Sequence, residues 1–220
     1  MTDNQQSQTQ SESDQLLASL SPEFSLDDPQ ATLDHIRRKM ESVAEEFGGG
    51  KLNRAQFNAI YGHYNEQRTI IETIITRNPE NDAWRQVAKP GKTTFLRAYF
   101  EAQPVFYIVF KHQVRSPLIS AGEHPEHSTP HIVTALKHLW RLESVPTKRL
   151  ARKEIDNGQW LVLAIGEQAT TVVVYSMQPS NHQVHLVRDL HDDFESANRL
   201  SLKRNQPATQ MVFPQRALLT

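Results

Sequence analysis

The sequence predicts an α+β fold: a five-stranded, mainly antiparallel sheet with flanking helices, preceded by a helical hairpin. Two apolar runs rich in β-branched residues, 160–165 and 170–175, have the length and composition of buried strands. Only four residues separate them, so we expect the two strands to pair as antiparallel neighbours. From about Asn181 to Arg204 the apolar residues recur every three or four positions, which predicts a long amphipathic helix. Such a helix buries its apolar face by packing on a sheet, and this combination defines the fold class.

Charge is distributed unevenly along the chain. Its 220 residues suffice for one substantial core with further segments outside it. The formal charge of the whole chain is −1, so no overall field attracts nucleic acid, and we expect no nucleic-acid partner. Residues 1–30 contain no Lys or Arg and have a charge of −6, which leaves +5 on the rest of the chain. The acidic residues in this stretch are Asp3, Glu12, Asp14, Glu23, Asp27 and Asp28. We expect residues 1–29 to form a disordered acidic tail.

The composition excludes several classes of protein. The chain has no cysteine, which excludes disulfides, thiolate catalysis and cysteine-ligated zinc. The longest apolar run, 105–110, is far shorter than the roughly twenty residues that a helix needs to cross a bilayer. Residues 1–6 carry neither the basic nor the apolar part of a secretion signal. We therefore expect a cytoplasmic protein that does not bind membranes.

Residues 30–78 are predicted to form a helical hairpin. An apolar stripe at three- and four-residue intervals marks the first helix. It consists of Leu33, Ile36, Met40, Val43 and Phe47. Gly48–Gly50 ends this helix, and Asn53 with Gln56 has the spacing of a capping box that begins a second one. Because the second apolar stripe continues to Ile75, we expect two antiparallel helices joined by a glycine turn.

The stretch Gly50–Phe57 resembles the short helical modules called SHOCT domains. In those modules a glycine turn with a hydrophobic residue precedes an acidic residue and an aromatic residue that open a helix. Gly50, Leu52 and Phe57 match this pattern, and Gln56 takes the place of the usual acidic residue. The resemblance implies a small module that is attached to other domains and is associated with oligomerisation.

A regular series of elements follows, and we assign residues 90–205 to one α+β domain. The predicted elements are a helix at 93–100, strands at 105–111 and 117–121, a helix at 130–143, strands at 151–155, 160–165 and 170–175, and a helix at 181–204. Asn157-Gly158 is a strong signal for a tight hairpin turn between the third and fourth strands. The element order is therefore α-β-β-α-β-β-β-α. Residues 206–220 are expected to form a C-terminal tail.

This element order resembles that of roadblock (LC7), longin and other profilin-like domains. Roadblock domains usually dimerise and regulate or scaffold small Ras-like GTPases, so the resemblance implies a homodimer and a GTPase of this class as partner. It also implies that the third strand and the second helix of the domain lie at the dimer seam. The residues assigned to a partner interface on this basis are Leu136, Trp140, Arg149, Arg152 and Lys153. The bases in 148–153 are equally explained by an edge strand that charge protects from unwanted pairing.

GAF domains have a similar element order, and they hold small ligands in a pocket. That resemblance implies an alternative function as a small-ligand sensor, with Tyr107, Trp160 and Tyr175 lining the pocket. The nearly continuous apolar strands 105–110 and 160–165 also indicate a sheet that is covered on both faces. Plain core packing of the three aromatic side chains therefore remains the competing explanation.

One segment resembles part of a phosphate-binding loop. Gly91-Lys92-Thr93 matches the end of that motif, but Gln86 stands where the motif requires a glycine. An apolar strand should also precede the motif, and residues 83–88 are too polar to form one. We therefore interpret this segment as the start of a helix.

Histidines are concentrated in two places. His124, His127 and His131 could each bind zinc, but two prolines prevent their alignment on one helical face, and no metal site is predicted. The last helix carries a second polar set, which includes His191 and is expected on its solvent face. The residues expected to face the core there are Val184, Val187, Leu190, Phe194 and Ala197.

No complete catalytic motif occurs in the sequence, and we expect neither a catalytic residue nor a cofactor. The function that the sequence favours is a non-enzymatic, self-associating protein-interaction module. Its expected role is that of an adaptor or regulator in a cytoplasmic signalling assembly, with the GAF-like sensor as the alternative.

Overall fold

The computed structural model describes residues 28–89, 93–141 and 149–219. These residues divide into two compact units, one formed by 28–43 with 61–89 and the other by 44–60 with the residues from 93 onward. The helices are α1 (Pro29–Gly48), α2 (Arg54–Arg77), α3 (Trp84–Val87), α4 (Thr93–Tyr99), α5 (Ser128–Trp140) and α6 (Asn181–Lys203). The strands are β1 (Pro104–Lys111), β2 (Ile119–Gly122), β3 (Arg149–Glu154), β4 (Trp160–Ile165) and β5 (Ala169–Tyr175). Short 3-10 segments occur at Asp156–Gly158, Ala208–Gln210 and Pro214–Leu219.

The five strands form one antiparallel sheet in the order β2-β1-β5-β4-β3. The predicted antiparallel pairing of the two apolar runs is confirmed, with Trp160 opposite Tyr175 and Ile165 opposite Thr170. Strands β2 and β3 are the two edges of the sheet. The α+β class with a five-stranded sheet, preceded by a helical pair, is therefore confirmed.

The first unit has a helical core of its own. Its buried residues come from α1, α2 and the region of α3. They are Leu33, Ile36, Met40, Ile71, Trp84 and Ala88. Gln67 Nε2 donates to Val87 O at 2.9 Å, which ties α2 to the end of α3. The apolar spacing that predicted the first helix therefore corresponds to a packed face.

Both faces of the sheet in the second unit are covered with apolar side chains. The cluster on the α5 face consists of Phe106, Phe110, Ile132, Leu136, Leu139, Ile155, Leu161, Leu163, Ile165, Val172 and Val174. The cluster on the α6 face includes Tyr107, Val109, Val162, Val173, Tyr175, Val184, Val187, Phe194, Leu202, Phe213 and Leu218. This arrangement explains why the central strands are nearly continuous apolar runs.

The capping box predicted at the start of α2 is confirmed. Gln56 N–H donates to Asn53 Oδ1 at 2.8 Å, and Asn53 N–H donates to Gln56 Oε1 at 3.0 Å. The spare amide hydrogens of both side chains reach the end of α4. Gln56 Nε2 donates to Arg97 O at 2.8 Å, and Asn53 Nδ2 donates to Phe100 O at 2.7 Å. The cap therefore also anchors the chain that enters the sheet.

A second capping box begins α6. Gln183 N–H donates to Ser180 Oγ at 3.2 Å, and Ser180 N–H donates to Gln183 Oε1 at 3.0 Å. Gln183 Nε2 then donates to Ala102 O at 2.8 Å. Two helix starts, at α2 and at α6, therefore fix adjacent parts of the same segment, 97–102.

The turn from β3 to β4 is the one that the sequence indicates. Asn157 and Gly158 both have positive φ, at 60° and 71°. Such angles suit Asn and Gly, and they match the twist of a tight hairpin. Strand β3 begins two residues earlier than its predicted start at Ala151.

The C-terminal segment, expected to be a tail, packs on the sheet domain. Phe213, Gln215 and Leu218 are buried, and Phe213 stacks on Phe194 with ring centroids 5.3 Å apart. Asn198 fixes the segment to α6, since its Nδ2 donates to Val212 O at 2.6 Å. The apolar residues of this segment are isolated and show no helical or strand period, yet they fill the edge of the core.

The buried face of α6 differs from the predicted one at several positions. His191 and Asn198 are buried, whereas Ala197 is exposed. Both polar side chains find partners inside the fold, so their polarity does not force them to the surface. None of the described helices is long and apolar enough to cross a membrane.

Candidate functional site

A groove of about 500 Å³ lies between α5 and β3, and we call it the edge groove. It is lined by Ala135, His138 and Leu139 of α5, by residues 149–153 of β3, and by Leu163 and Ile165 of β4. The two β4 residues are buried and form an apolar floor. Cationic side chains of β3 form one rim. The groove therefore combines apolar surface with positive charge.

The outer edge of β3 has no strand partner among the described residues. This strand is the last of the sheet, so no described strand pairs with its outer side. Ile155 N–H donates inward to Gln159 O at 2.8 Å, and the direction of hydrogen bonds alternates along an antiparallel strand. The N–H and C=O groups of Leu150, Arg152 and Glu154 therefore point away from β4. Such a row of backbone groups can pair with a further strand.

The side chains of β3 alternate between the two faces of the sheet. Ala151 lies opposite Leu163, which packs on the α5 face. Because side chains two residues apart share a face, Arg149 and Lys153 also lie on the side of the edge groove. Arg152 lies on the other face. No carboxylate among the described residues forms a salt bridge with Arg149 or Lys153.

The five residues predicted for a partner interface divide into two groups. Arg149, Arg152 and Lys153 are exposed on the edge strand. Leu136 is buried in the α5-face cluster, and Trp140 packs partly buried against the same cluster. The apolar stripe of α5 includes Leu139, which also borders the groove, whereas Ala135 and His138 beside it were not among the predicted interface residues. Helical spacing identifies the apolar stripe, but it does not tell which flank faces an edge strand.

The three aromatic residues proposed for a ligand pocket lie together on the α6 face. Tyr107 and Tyr175 are buried, and Trp160 packs partly buried against their cluster. Burial raises the pKa of Tyr175 to about 12. Phe194 and Phe213 belong to the same cluster, so protein side chains pack against all three aromatic residues. This environment matches core packing, the competing explanation.

The three clustered histidines have separate partners. His127 Nε2 lies 2.8 Å from Gln159 Oε1, and His131 Nε2 lies 3.0 Å from Asp156 Oδ2. The hydrogen bond from His131, together with its charge, lowers the pKa of Asp156. His124 packs edge-on against Phe106, and its Nε2 lies 3.4 Å from Thr129 Oγ1. Within the described ranges no group of three or more His, Asp or Glu side chains could hold a metal ion.

A buried polar cluster on the α6 face was not predicted. Thr171 Oγ1 lies 2.8 Å from His191 Nδ1, and Gln215 Nε2 donates to the same hydroxyl oxygen at 3.1 Å. His191 Nε2 is 3.8 Å from Glu195 Oε1, and it has no hydrogen-bond partner within the part of the chain that the structure describes. Burial lowers the pKa of His191, although the nearby Glu195 charge acts in the opposite direction.

The hydroxyl of Thr171, the imidazole of His191 and the carboxylate of Glu195 follow one another as in a catalytic triad, in which the hydroxyl is the nucleophile and the imidazole is its base. Thr171 and His191 are only 0% and 1% exposed, so the hydroxyl cannot reach a substrate. The hydroxyl hydrogen is free to point at His191 Nδ1, because Gln215 supplies a hydrogen to the oxygen. We therefore interpret the cluster as a buried structural network. Only contacts across the fold reveal it, since its members are up to 44 residues apart in sequence.

The segment that resembles a phosphate-binding loop lies largely outside the described residues. Of Gly91-Lys92-Thr93 only Thr93 is described, and it begins α4. The interpretation of this segment as a helix start therefore agrees with the one residue that can be compared.

Comparisons with known proteins give no relative of this chain. No protein-family model, curated protein or solved structure shows significant similarity to it.

Proposed function

We propose that this chain is a non-enzymatic protein-interaction module that binds through the edge groove and the free edge of β3. The observation that carries the proposal is an open strand edge beside an apolar groove with exposed Arg149 and Lys153. Addition of an extended segment to such an edge is a recurring mode of recognition, in which backbone hydrogen bonds give affinity and side-chain pockets give specificity. The proposed role is that of an adaptor or regulator in a cytoplasmic signalling assembly.

The position of α5 beside β3 supports the proposal. The roadblock resemblance implies a partner seam at this helix and strand, and the edge groove lies between them. Self-association and a small Ras-like GTPase as partner enter the proposal through that resemblance. The burial of Thr171 and His191 supports the non-enzymatic part, because this hydroxyl–imidazole pair is closed to substrate.

A blocked strand edge tests the proposal. Arg152→Pro removes an outward N–H of β3 without touching an inward one, and proline is tolerated on the open side of an edge strand. Arg152→Thr is the matched control, since it also loses the charge but keeps the N–H. Partners captured by the full chain from its native organism and identified by mass spectrometry should remain with the Thr variant and disappear with the Pro variant. A partner set that is the same for both, at equal urea midpoints, contradicts the proposal.

Light scattering tests self-association separately. If a second copy uses the same edge, the full chain is dimeric at tens of micromolar and Arg152→Pro is monomeric. If the wild-type chain is strictly monomeric, the homodimer is ruled out. The proposal is then restricted to binding of a different protein.

A further inference from the structure

We infer that the edge groove accepts an extended acidic segment of another protein, in which one apolar side chain is flanked by carboxylates two residues away on either side. The inference rests on the proposed function and specifies the chemistry of its partner. Three features carry it: the outward backbone of β3, the small Ala151 beside an apolar floor, and the cations on both sides of Ala151.

The backbone determines how the segment lies. Leu150, Arg152 and Glu154 direct their N–H and C=O groups outward, as the alternation from Ile155 shows. A segment that pairs with these groups becomes a sixth strand. Its side chains then alternate between the α5 face and the α6 face. Every second residue of the partner therefore lies over the edge groove.

The centre of the groove specifies an apolar residue. Ala151 contributes only a methyl group, so it leaves room between Leu139 of α5 and the floor at Leu163. A partner side chain opposite Ala151 projects into this space. A valine or leucine there would cover apolar surface, whereas a polar side chain would lose hydration without gaining a partner.

The cationic side chains on the rim of the edge groove determine which residues should flank the apolar residue of the partner. Partner positions two residues before and after the apolar one lie opposite Arg149 and Lys153 on the same face. Both of these side chains are exposed, and no described carboxylate lies within salt-bridge distance of either, although the charge of Lys153 helps to lower the pKa of Asp156. Opposite charges that face each other across two strands are favourable. The expected partner sequence has five positions: an acidic residue, any residue, an apolar residue, any residue and a second acidic residue. Because this pattern is symmetric, it suits a partner strand in either direction.

Charge makes a second copy of the chain a poorer occupant. When two β3 strands overlap antiparallel around Ala151, Arg149 of each copy faces Lys153 of the other. Like charges in that position oppose pairing of two β3 strands, so the proposed self-association would need another register or another surface of the chain. Nucleic acid is also a poorer match, because none of the described residues that line the groove is a Phe, Tyr or Trp that could stack on a base, and the floor is apolar.

Peptide binding to the full chain tests the inference. The probe is a fluorescein-labelled peptide with the core DTVTD between Gly-Ser spacers, titrated at low ionic strength and followed by fluorescence anisotropy. We expect saturable binding that weakens about tenfold for NTVTN, which lacks the charges, and for DTSTD, which lacks the apolar residue. Equal affinity for all three peptides would overturn the inference.

A charge exchange in the protein supplies the matched control. The double variant Arg149→Glu/Lys153→Glu should lose at least about tenfold in affinity for DTVTD and should bind the reversed peptide KTVTK instead. The control Lys137→Glu/Arg141→Glu makes the same change in net charge at exposed positions of the α5 region outside the groove lining. It should bind DTVTD like the wild type. If both double variants lost the same affinity for DTVTD, the effect would come from net charge alone, and the inference would be overturned.

Three further outcomes decide between occupants. Single-stranded oligothymidine that binds more tightly than DTVTD, and is lost in the groove variant, would overturn the inference in favour of nucleic acid. A dimer that excludes the peptide would overturn it in favour of a second copy. If Arg152→Pro abolishes partner capture while DTVTD does not bind, the proposed function stands and the acidic-segment inference fails.

Discussion

Glu195 connects the turn between β4 and β5 to α6. Its Oε1 accepts the N–H groups of Gln168 and Ala169 at 2.8 Å each, and its Oε2 accepts that of Glu167 at 2.9 Å. Three backbone donors around one carboxylate form charge-assisted hydrogen bonds. Gly166 belongs to the same arrangement, because a Cβ at this position would lie 2.3 Å from Glu195 Cδ.

We expect Glu195→Gln to lower the free energy of unfolding by about 2 kcal/mol, since the amide keeps one acceptor oxygen and turns its NH2 group toward a backbone N–H that the carboxylate accepted. Urea unfolding followed by circular dichroism measures this change. Glu167→Gln is the control, because the Glu167 side chain is exposed while its N–H stays in place. Equal midpoints for the two variants would contradict the role of the Glu195 carboxylate.

His191 makes stability dependent on pH. Burial lowers the pKa of His191 and that of His112 below the ordinary value of 6.5, although Glu195 and Asp192 raise the pKa of His191 in part. The unfolded chain therefore binds protons near pH 6.5 that the folded chain does not. The free energy of unfolding should be flat above this pH and should fall below it, with a slope of up to about 1.4 kcal/mol per pH unit for each histidine kept neutral.

Urea unfolding at about pH 7.5 and about pH 5.5 measures this slope. His191→Gln should reduce the slope between the two conditions, because the residue that resists protonation is gone. His138→Gln makes the same replacement at an exposed position and serves as the control. The role of His191 would be refuted if its replacement and that of His138 had the same effect.

At the scale of elements, the capping box of α2 also holds the end of α4. Gln56 is buried, and its amide both completes the cap and donates to Arg97 O at 2.8 Å. Gln56→Glu keeps the acceptor for the cap but loses this donor and brings a charge close to a carbonyl oxygen. We expect it to lower the free energy of unfolding by about 1–2 kcal/mol, although glutamate is a favoured residue at this position of a capping box.

The measurement is again the urea midpoint, compared with Gln103→Glu, which makes the same change at an exposed position. If the amide serves the cap alone, Gln56→Glu will be as stable as the wild type. That result would show that the hydrogen bond from Gln56 to Arg97 O does not stabilise the fold.

Local elements were predicted well because their signals are local. Strand β4 occupies the predicted residues 160–165, and the Asn157-Gly158 turn has the positive φ angles that its residues favour. The capping box at Asn53 depends on residues three positions apart, so it is visible in sequence. By contrast, the sequence did not predict that Ala135 and His138 of α5 border the edge groove. Their position beside the groove depends on where β3 lies, and the spacing of residues within α5 does not indicate that.

At the scale of the whole molecule, the C-terminal segment completes the core of the sheet domain. Phe213 is buried against Phe194, whereas the adjacent Val212 is 63% exposed. We expect Phe213→Ala to lower the free energy of unfolding by about 3 kcal/mol, because it leaves a cavity in packed surroundings. Val212→Ala should change it by less than about 0.5 kcal/mol. Thermal or urea unfolding of the two variants compares them, and similar values would show that the segment adds little to the core.

The sequence by itself determined the five strands and all the described helices except α3, because helical spacing, apolar runs, caps and turn residues act over a few positions. It also indicated the basic edge strand, since Arg149, Arg152 and Lys153 are close together in the chain. Only the tertiary structure decided that Leu136 is core, that His191 is buried, and that the C-terminal segment packs on α6. These outcomes depend on pairs such as Thr171 and Gln215, which lie 44 residues apart. Burial is a property of such distant contacts, and no local pattern encodes it.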